Sequence, residues 1–207
     1  MNELMYNFLN QIEDTNKIND MTVEEFEICR GMEMKMEEYI EQYKSNGGYI
    51  KTLRQHIGHA PIITIGVGVV IENSKGEILL QKRKDNGKWA IIGGGMEIGE
   101  SFEEAIRREA KEEAGIELGE LTLMAIANGQ DRFITYPNGD IVYSNSIIFR
   151  TKTFCGNIIN APDEVVEHKF FGKDNLPMEI NDFDKLFVEI WLRNSNQIVI
   201  YNGIKNE

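Results

Sequence analysis

The stretch "SFEEAIRREAKEEAG", Ser101 to Gly115, decides how this chain is read. Ser101 followed three residues later by Glu104 forms a capping box, in which hydroxyl and carboxylate each satisfy a free amide at a helix start. Gly115 supplies the stop, because a residue without Cβ readily takes the left-handed conformation that closes a helix. At about 100° per residue, Glu109, Glu112 and Glu113 share the stripe that carries Phe102, Ala105 and Ile106. Glu104, Arg107 and Lys111 fall on the opposite face, where solvated charge is expected. Three carboxylates on an inward stripe repel one another and resist losing water, so they must be protonated, paired or bound to a cation. Oxygen-only ligands favour a hard divalent ion, and sites that handle phosphates usually employ Mg²⁺.

Working outward, the preceding residues fit a phosphate site. Gly93, Gly94, Gly95 and Gly99 allow close backbone approach in a loop just ahead of a helix N-terminus, whose free amides favour anions. Lys82, Arg83, Lys84 and Lys88 lie on or just after a strand leading into that loop, and strand alternation lets only some of them face a cleft. The β-branched run "PIITIGVGVVIE", the turn "NSKGE" and the run "ILLQKR" predict a β-hairpin, with "KWAII" as a third strand. Beyond the helix, "LTLMAIANGQ", "RFITY" and "DIVYSNSIIFRTKTF" read as strands, with "PNGD" as a tight turn, and "HKFFG" as another strand. Phe183, Leu186, Phe187, Ile190 and Trp191 recur at helical spacing, which predicts a packed helix from Asn181 to Arg193. The sum is an α/β domain, a mixed sheet with helices laid against it, whose strand order these patterns leave open.

The first sixty residues have a different period. "TVEE", Thr22 to Glu25, is another capping box, and Gly47-Gly48 would end the helix it starts. Between them Cys29, Met32, Met36, Tyr39 and Tyr43 alternate spacings of three and four, the pattern of a packing seam. Such a seam serves an intramolecular contact, a dimer contact or, being methionine-rich, an adaptable binding surface.

Composition narrows the function classes. The 207 residues carry a formal net charge of -12, with 42% hydrophobic and 27% charged residues, an ordinary globular composition. That charge disfavours nucleic acid and acidic membranes as partners. No apolar run approaches the length of a membrane span, and the start "MNELMYNFLNQIEDTN" lacks the basic and apolar regions of a signal peptide. With only Cys29 and Cys155, far apart, the expectation is a reduced, cytoplasmic protein. His56, His59 and His168 are scattered and lack the paired spacing of a zinc site.

From Gly94 to Ile116, "GGMEIGESFEEAIRREAKEEAGI" resembles the Nudix box, G-x5-E-x7-R-E-U-x-E-E-x-G-U. Gly94, Glu100, Arg108, Glu109, Ala110, Glu112, Glu113, Gly115 and Ile116 stand in its places, Ala110 being a small form of the usual aliphatic residue. The resemblance implies a Nudix α/β/α sandwich over about Pro61 to Arg193. The corresponding division is a helical N-terminal extension over residues 1–60, for packing or homodimer formation, and a Nudix domain over 61–207.

The resemblance further implies a MutT-like hydrolase of the ADP-ribose or nucleoside diphosphate-X pyrophosphatase type, releasing a nucleoside monophosphate and phosphorylated X. By similarity, Glu109, Glu112 and Glu113, with the backbone carbonyl of Gly93, would hold Mg²⁺ or Mn²⁺. Arg108 would orient the glutamates and Glu100 would support them. The general base is a box glutamate or one from "APDEVVEHKFF", where Asp163, Glu164 and Glu167 are available and Glu164 is favoured. Arg83, Lys88, Gly94, Gly95 and Tyr136 are the candidate residues for a small-molecule nucleotide substrate. Phe133, Tyr136 and Tyr143 suit either stacking on a base or core packing. Two departures stand out: Ile92 replaces the proline that commonly precedes the paired glycines, and Arg132 occupies the place of the proline typical of ADP-ribose pyrophosphatases. The alternatives are a hydrolase that sanitises oxidised nucleoside triphosphates and a non-catalytic nucleotide-ligand sensor. A sensor of this family usually loses box carboxylates and gains a DNA-binding domain, and neither sign is present here.

Overall fold

The computed structural model describes residues 35, 37–136 and 138–203. The chain divides into two compact units, Met1–Thr52 and Leu53–Glu207. In the first, helical turns run through residues 37–45 and stop where Gly47 and Gly48 take φ of 87° and 102°. The Gly48 amide donates back to the Tyr43 carbonyl, so the expected glycine stop is present. The expected capping box at Thr22 and the seam residues Cys29, Met32 and Met36 lie outside the described residues. A short helix α1, Tyr49–Ile57, crosses the boundary between the units.

The second unit is built on β1 (Ile62–Ile71), an apolar run whose second half, Val67–Ile71, is covered on both faces, while Ile63 and Ile65 nearer its start are exposed. Val67, Val69 and Ile71 pack toward helix α2 (Phe102–Ala114), and Val70 packs with Phe187 and Trp191 of helix α3 (Asp182–Leu192). The next strand, β2 (Ile78–Arg83), alternates likewise: Leu79 joins the first cluster, Ile78 and Leu80 the second. The result is the expected α/β/α arrangement. Burying each large aliphatic side chain contributes about 1.5–3 kcal/mol, and Ile71, Ile78, Leu79, Leu80 and Ile92 are all fully buried.

Pairing departs from the sequence reading at the first turn. The turn "NSKGE" forms, with Asn73 and Glu77 exchanging hydrogen bonds. Apart from a single bridge between Glu72 and Ile78, however, β1 and β2 do not pair as a hairpin. β1 runs antiparallel to β4 (Ile92–Gly95) and parallel to β8 (Ile141–Thr151), whereas β2 pairs with β3 (Trp89–Ala90) and β10 (Val165–Phe171) in a separate three-stranded sheet. The six-stranded sheet has the order β11-β6-β8-β1-β4, with β7 (Phe133–Thr135) also on β8. In it β6 is Thr122–Ala127 and β11 is Val199–Tyr201. A short ladder of β5 (Glu117–Leu118) with β9 (Phe154–Cys155) completes the strands. The expected single strand "KWAII" is thus two, divided at Ile91 where the chain passes from one sheet to the other.

Candidate active site

Helix α2 has the caps its sequence demands. The Ser101 hydroxyl accepts from the Glu104 amide, the Glu104 carboxylate accepts from the Ser101 amide, and Gly115 closes the helix at φ 70°. Ala105, Ile106, Ala110, Glu113 and Ala114 form its buried stripe. Phe102, expected on that stripe, is 40% exposed, because it begins the helix at the sandwich rim. The three glutamates divide by depth: Glu113 is 4% exposed, the Glu109 side chain 12% and the Glu112 side chain 58%. Arg107, expected in solvent, instead donates to the Leu118 and Gly119 carbonyls and anchors the helix to β5.

Gly93, Gly94 and Gly95 belong to β4 and not to a loop, and only residues 96–101 connect the strand to the helix. The reason they are glycines is proximity. A Cβ on Gly94 would lie 2.3 Å from a Glu109 carboxylate oxygen, and one on Gly93 would lie 2.3 Å from the Val67 carbonyl oxygen. The strand therefore lets a carboxylate rest against bare backbone. Ile92, where a proline was expected, is fully buried in β4 opposite Val69.

Arg108 organises the cluster. Its guanidinium donates to Glu100 (2.6 and 3.1 Å), Glu109 (2.8 Å), Glu112 (3.0 Å) and the Gly95 carbonyl (2.9 Å). Bonds to Glu100, foremost, and the charge of Glu109 push its pKa further above its ordinary value. Glu113 lies beyond this reach. It accepts from Gln81 Nε2 at 2.9 Å and from the Gly93 amide at 3.2 Å, and no lysine or arginine pairs with it among the described residues. Burial, with the nearby charges of Glu109 and Glu164, pushes the Glu113 carboxyl up to about 8. Burial also raises Glu109, against the opposing pull of Arg108.

Gln81 is the residue that the sequence reading passed over. It is 1% exposed directly after the apolar Ile78–Leu80 of β2, and alternation sets it on the α2 face with Leu79. A buried glutamine interrupting "ILL" was the signal, because such a group needs a partner. Glu164 stands near by: the loop before it is tied to the end of α2 by the Ile159 and Ala161 amides, which donate to the Ala114 and Glu113 carbonyls. Its charge acts on both Glu109 and Glu113. Asp163, Glu164 and Glu167 are all exposed, and Glu164 is the one whose charge reaches the α2 glutamates. Arg83 forms a two-pronged pair with Asp85 (3.0 and 2.9 Å) and interacts electrostatically with Glu113 and Tyr136. Lys88 pairs with Asp182 of α3 at 2.7 Å, and Lys84 donates to the Pro162 carbonyl, so neither is grouped with the glutamates. Phe133 and Tyr143 pack on each other at 4.9 Å, and the Tyr143 hydroxyl accepts from the Gly129 amide.

The donors suit a hard divalent cation in chemistry: oxygen only, two of them largely stripped of water, and Glu113 without a salt bridge among the described residues. They are not yet converged. Among the described residues no three His, Cys, Asp or Glu side chains are placed to share an ion, since Arg108 draws Glu109 and Glu112 toward itself. Coordination requires those two to turn from the guanidinium, and Glu112 has the exposure to do so.

This combination of fold and helix defines a class. Residues 63–189 match the NUDIX domain family, and the chain belongs to it as a Nudix hydrolase. Among curated relatives, it is 36% identical over 122 residues to the ADP-ribose pyrophosphatase of Methanocaldococcus jannaschii, covering 58% of this chain and 67% of that one. It is 33% identical to the 8-oxo-dGDP phosphatase NUDT18 of Danio rerio, over 56% of this chain but 34% of the relative. Among solved structures, a MutT NUDIX hydrolase from Burkholderia pseudomallei superposes with a TM-score of 0.54 at 29% identity, covering 62% of this chain and 97% of that one. No helix among the described residues is long and apolar enough to cross a membrane.

Proposed function

We propose that this chain hydrolyses the diphosphate bond of a nucleoside diphosphate linked to a further group X, yielding a nucleoside monophosphate and phosphorylated X. The observation that carries this reading is the pair of buried Glu113 and largely buried Glu109 beside bare glycine backbone, with no lysine or arginine in salt-bridge contact with Glu113 among the described residues. Desolvated carboxylates so close together are costly unless a positive charge joins them. Glu109, Glu112 and Glu113, with the Gly93 carbonyl, would hold Mg²⁺ or Mn²⁺. When bound, the ion supplies Lewis-acid chemistry, drawing charge off phosphate oxygens and making water more acidic.

The chain's own residues do the rest. Gln81 and the Gly93 amide fix the orientation of Glu113. Arg108 and Glu100 keep Glu109 aligned between turnovers. Gly95 leaves open space against β4 for phosphate, Gly94 gives the Glu109 carboxylate its seat, and the charge of Arg83, itself paired with Asp85, acts on Glu113 without a salt bridge. Glu164 is proposed as the general base, taking a proton from the attacking water. The relatives named ADP-ribose pyrophosphatase and 8-oxo-dGDP phosphatase support this reading for the diphosphate bond. The helical segment ahead of β1 is proposed to serve packing or dimer formation; deleting residues 1–45 should halve the mass in solution, and an unaltered mass counts against the dimer.

The test is a hydrolysis screen over nucleoside diphosphate sugars, ADP-ribose and nucleoside triphosphates with Mg²⁺, reading phosphate released with and without added phosphatase. Phosphate appearing only after phosphatase treatment of a diphosphate-X compound is the expected result. Glu113→Gln should lose at least about a hundredfold in kcat, comparable to removing one electrostatic group at a reacting centre, while remaining folded by circular dichroism. Full turnover in that variant refutes the assignment.

A further inference from the structure

Glu113 is held by one of its two oxygens. Gln81 Nε2 and the Gly93 amide both donate to Oε2, at 2.9 and 3.2 Å, and neither engages Oε1. This grip works in only one orientation of the Gln81 amide, because a half-turn would exchange Nε2 for Oε1 and set an acceptor against the carboxylate. A contact of the same nitrogen with the Ile91 carbonyl, at 3.5 Å, lies at the limit of a hydrogen bond and does little to fix it.

The far end of the amide is where the orientation is decided. Gln81 Oε1 is buried and has no hydrogen-bond partner, a costly condition for a polar atom away from water, and His168 Nε2 is in the same condition. The two residues stand directly opposite each other in the antiparallel ladder of β2 and β10. Side chains so placed share a face, with Cβ atoms about 4.5–5.5 Å apart. The next pair on that face, Leu79 opposite Phe170, packs in the α2 cluster, so Gln81 and His168 both point toward α2. An acceptor without a donor therefore neighbours a ring nitrogen without a partner.

Imidazole supplies the missing donor in its Nε2–H tautomer. Burial lowers the His168 pKa, which keeps the ring neutral with a single N–H to place. Nδ1 is then an acceptor, and Asn160 lies beside it with 2.8 Å between Oδ1 and Nδ1. Asn160 is exposed, and a half-turn of its amide presents an N–H to Nδ1. A turn about the His168 Cβ–Cγ bond, a broad torsion, closes the contact with Gln81.

We infer that His168 is a positioning residue for the hydrolytic site: as the Nε2–H tautomer it donates to Gln81 Oε1 and so keeps Gln81 Nε2 turned toward Glu113. The chain Asn160, His168, Gln81, Glu113 ties the edge of one sheet to the carboxylate, and His168 itself touches neither substrate nor cation. The inference rests on the hydrolase reading for the work that Glu113 does, and it adds the residue that orients Glu113 from behind.

The experiment has three readouts on the full chain. The first is the tautomer, read from ¹⁵N NMR of the histidine rings without metal, with His168→Gln assigning the signal; Nε2–H is expected, and Nδ1–H overturns the inference. The second is Mg²⁺ affinity by titration calorimetry without substrate, together with kcat and KM. His168→Phe keeps a ring but no donor, and should weaken Mg²⁺ and lower kcat by about tenfold each, as loss of a group that orients a metal ligand does, with KM within about twofold. His168→Gln restores an N–H donor and should recover both to within about threefold of the natural chain. A role in packing alone would lower the melting temperature of His168→Phe and leave Mg²⁺ affinity unchanged, and that result refutes the inference. The third is a double-mutant cycle: in a Gln81→Leu background, His168→Phe should weaken Mg²⁺ no further, whereas a second tenfold loss shows that the two residues act independently. Should His168→Phe fail to fold, the tautomer of the natural chain decides. Absence of hydrolysis on every diphosphate removes the hydrolase reading and leaves the tautomer to judge this one; an Nδ1–H ring in an active enzyme does the reverse.

Discussion

Gly94 and Asp184 show how single positions carry this site's energetics. The Gly94 Cα lies against the Glu109 carboxylate so closely that one added carbon would overlap it. Gly94→Ala should therefore displace Glu109 and lower kcat by about a hundredfold, the cost of misplacing a reacting group by roughly 1 Å, with little change in melting temperature. A variant retaining full kcat would show that Glu109 need not rest on β4. Asp184 is buried, at 8% exposure, and that burial pushes its carboxyl from 3.8 up to about 7, against the pull of Arg83 and Arg132. Between those values the native state holds a proton that the unfolded chain has released, so stability falls as pH rises from about 4 to about 7 and levels above. Asp184→Asn should melt higher than the natural protein at pH 7, the gap closing toward pH 4; a gap that widens on acidification contradicts the burial.

At the scale of elements, helix α2 was the most legible part of the sequence. Its start, stop and buried stripe follow from Ser101, Glu104, Gly115 and a 3.6-residue period, all local properties. Ser101→Ala removes one side of the capping box, should cost about 1 kcal/mol, and is checked by urea denaturation with unchanged m-value. Strands were legible as runs but not as partners. The reading of β1 and β2 as a hairpin failed because a short turn and two apolar runs describe a hairpin and a sheet-to-sheet crossing equally well. What separates them is that Val67–Ile71 of β1 are covered on both faces by helices, a fact held by residues far along the chain. β5 and β11, of two and three residues, were too short for any period to register. In α3 the apolar spacing was plain, and Phe187 is 1% exposed at the centre of its cluster. Phe187→Ala should destabilise by about 3–5 kcal/mol, read as a shifted denaturation midpoint.

At the scale of the whole second unit, two sheets, one helix and a loop bring distant segments to one place: Gln81 from β2, Gly93 from β4, Glu113 from α2 and Glu164 from the loop before β10. Assembled without a cation, these carboxylates weaken the fold. Added Mg²⁺ should raise the melting temperature, by an amount corresponding to about 2.7 kcal/mol at a hundred times the dissociation constant. Glu109→Gln and Glu113→Gln should blunt that rise, and an equal rise in either variant would place the ion elsewhere.

The sequence by itself determined the glutamate helix, its caps, its membership of the Nudix pattern and the mixed α/β character of residues 61–207, because each depends on spacing along a few turns or strands. Tertiary structure alone decided which glutamate is deep and which is at the rim, and that Gln81 holds Glu113. Burial and charge are properties of neighbours brought together across a hundred residues, and local periodicity carries no record of them.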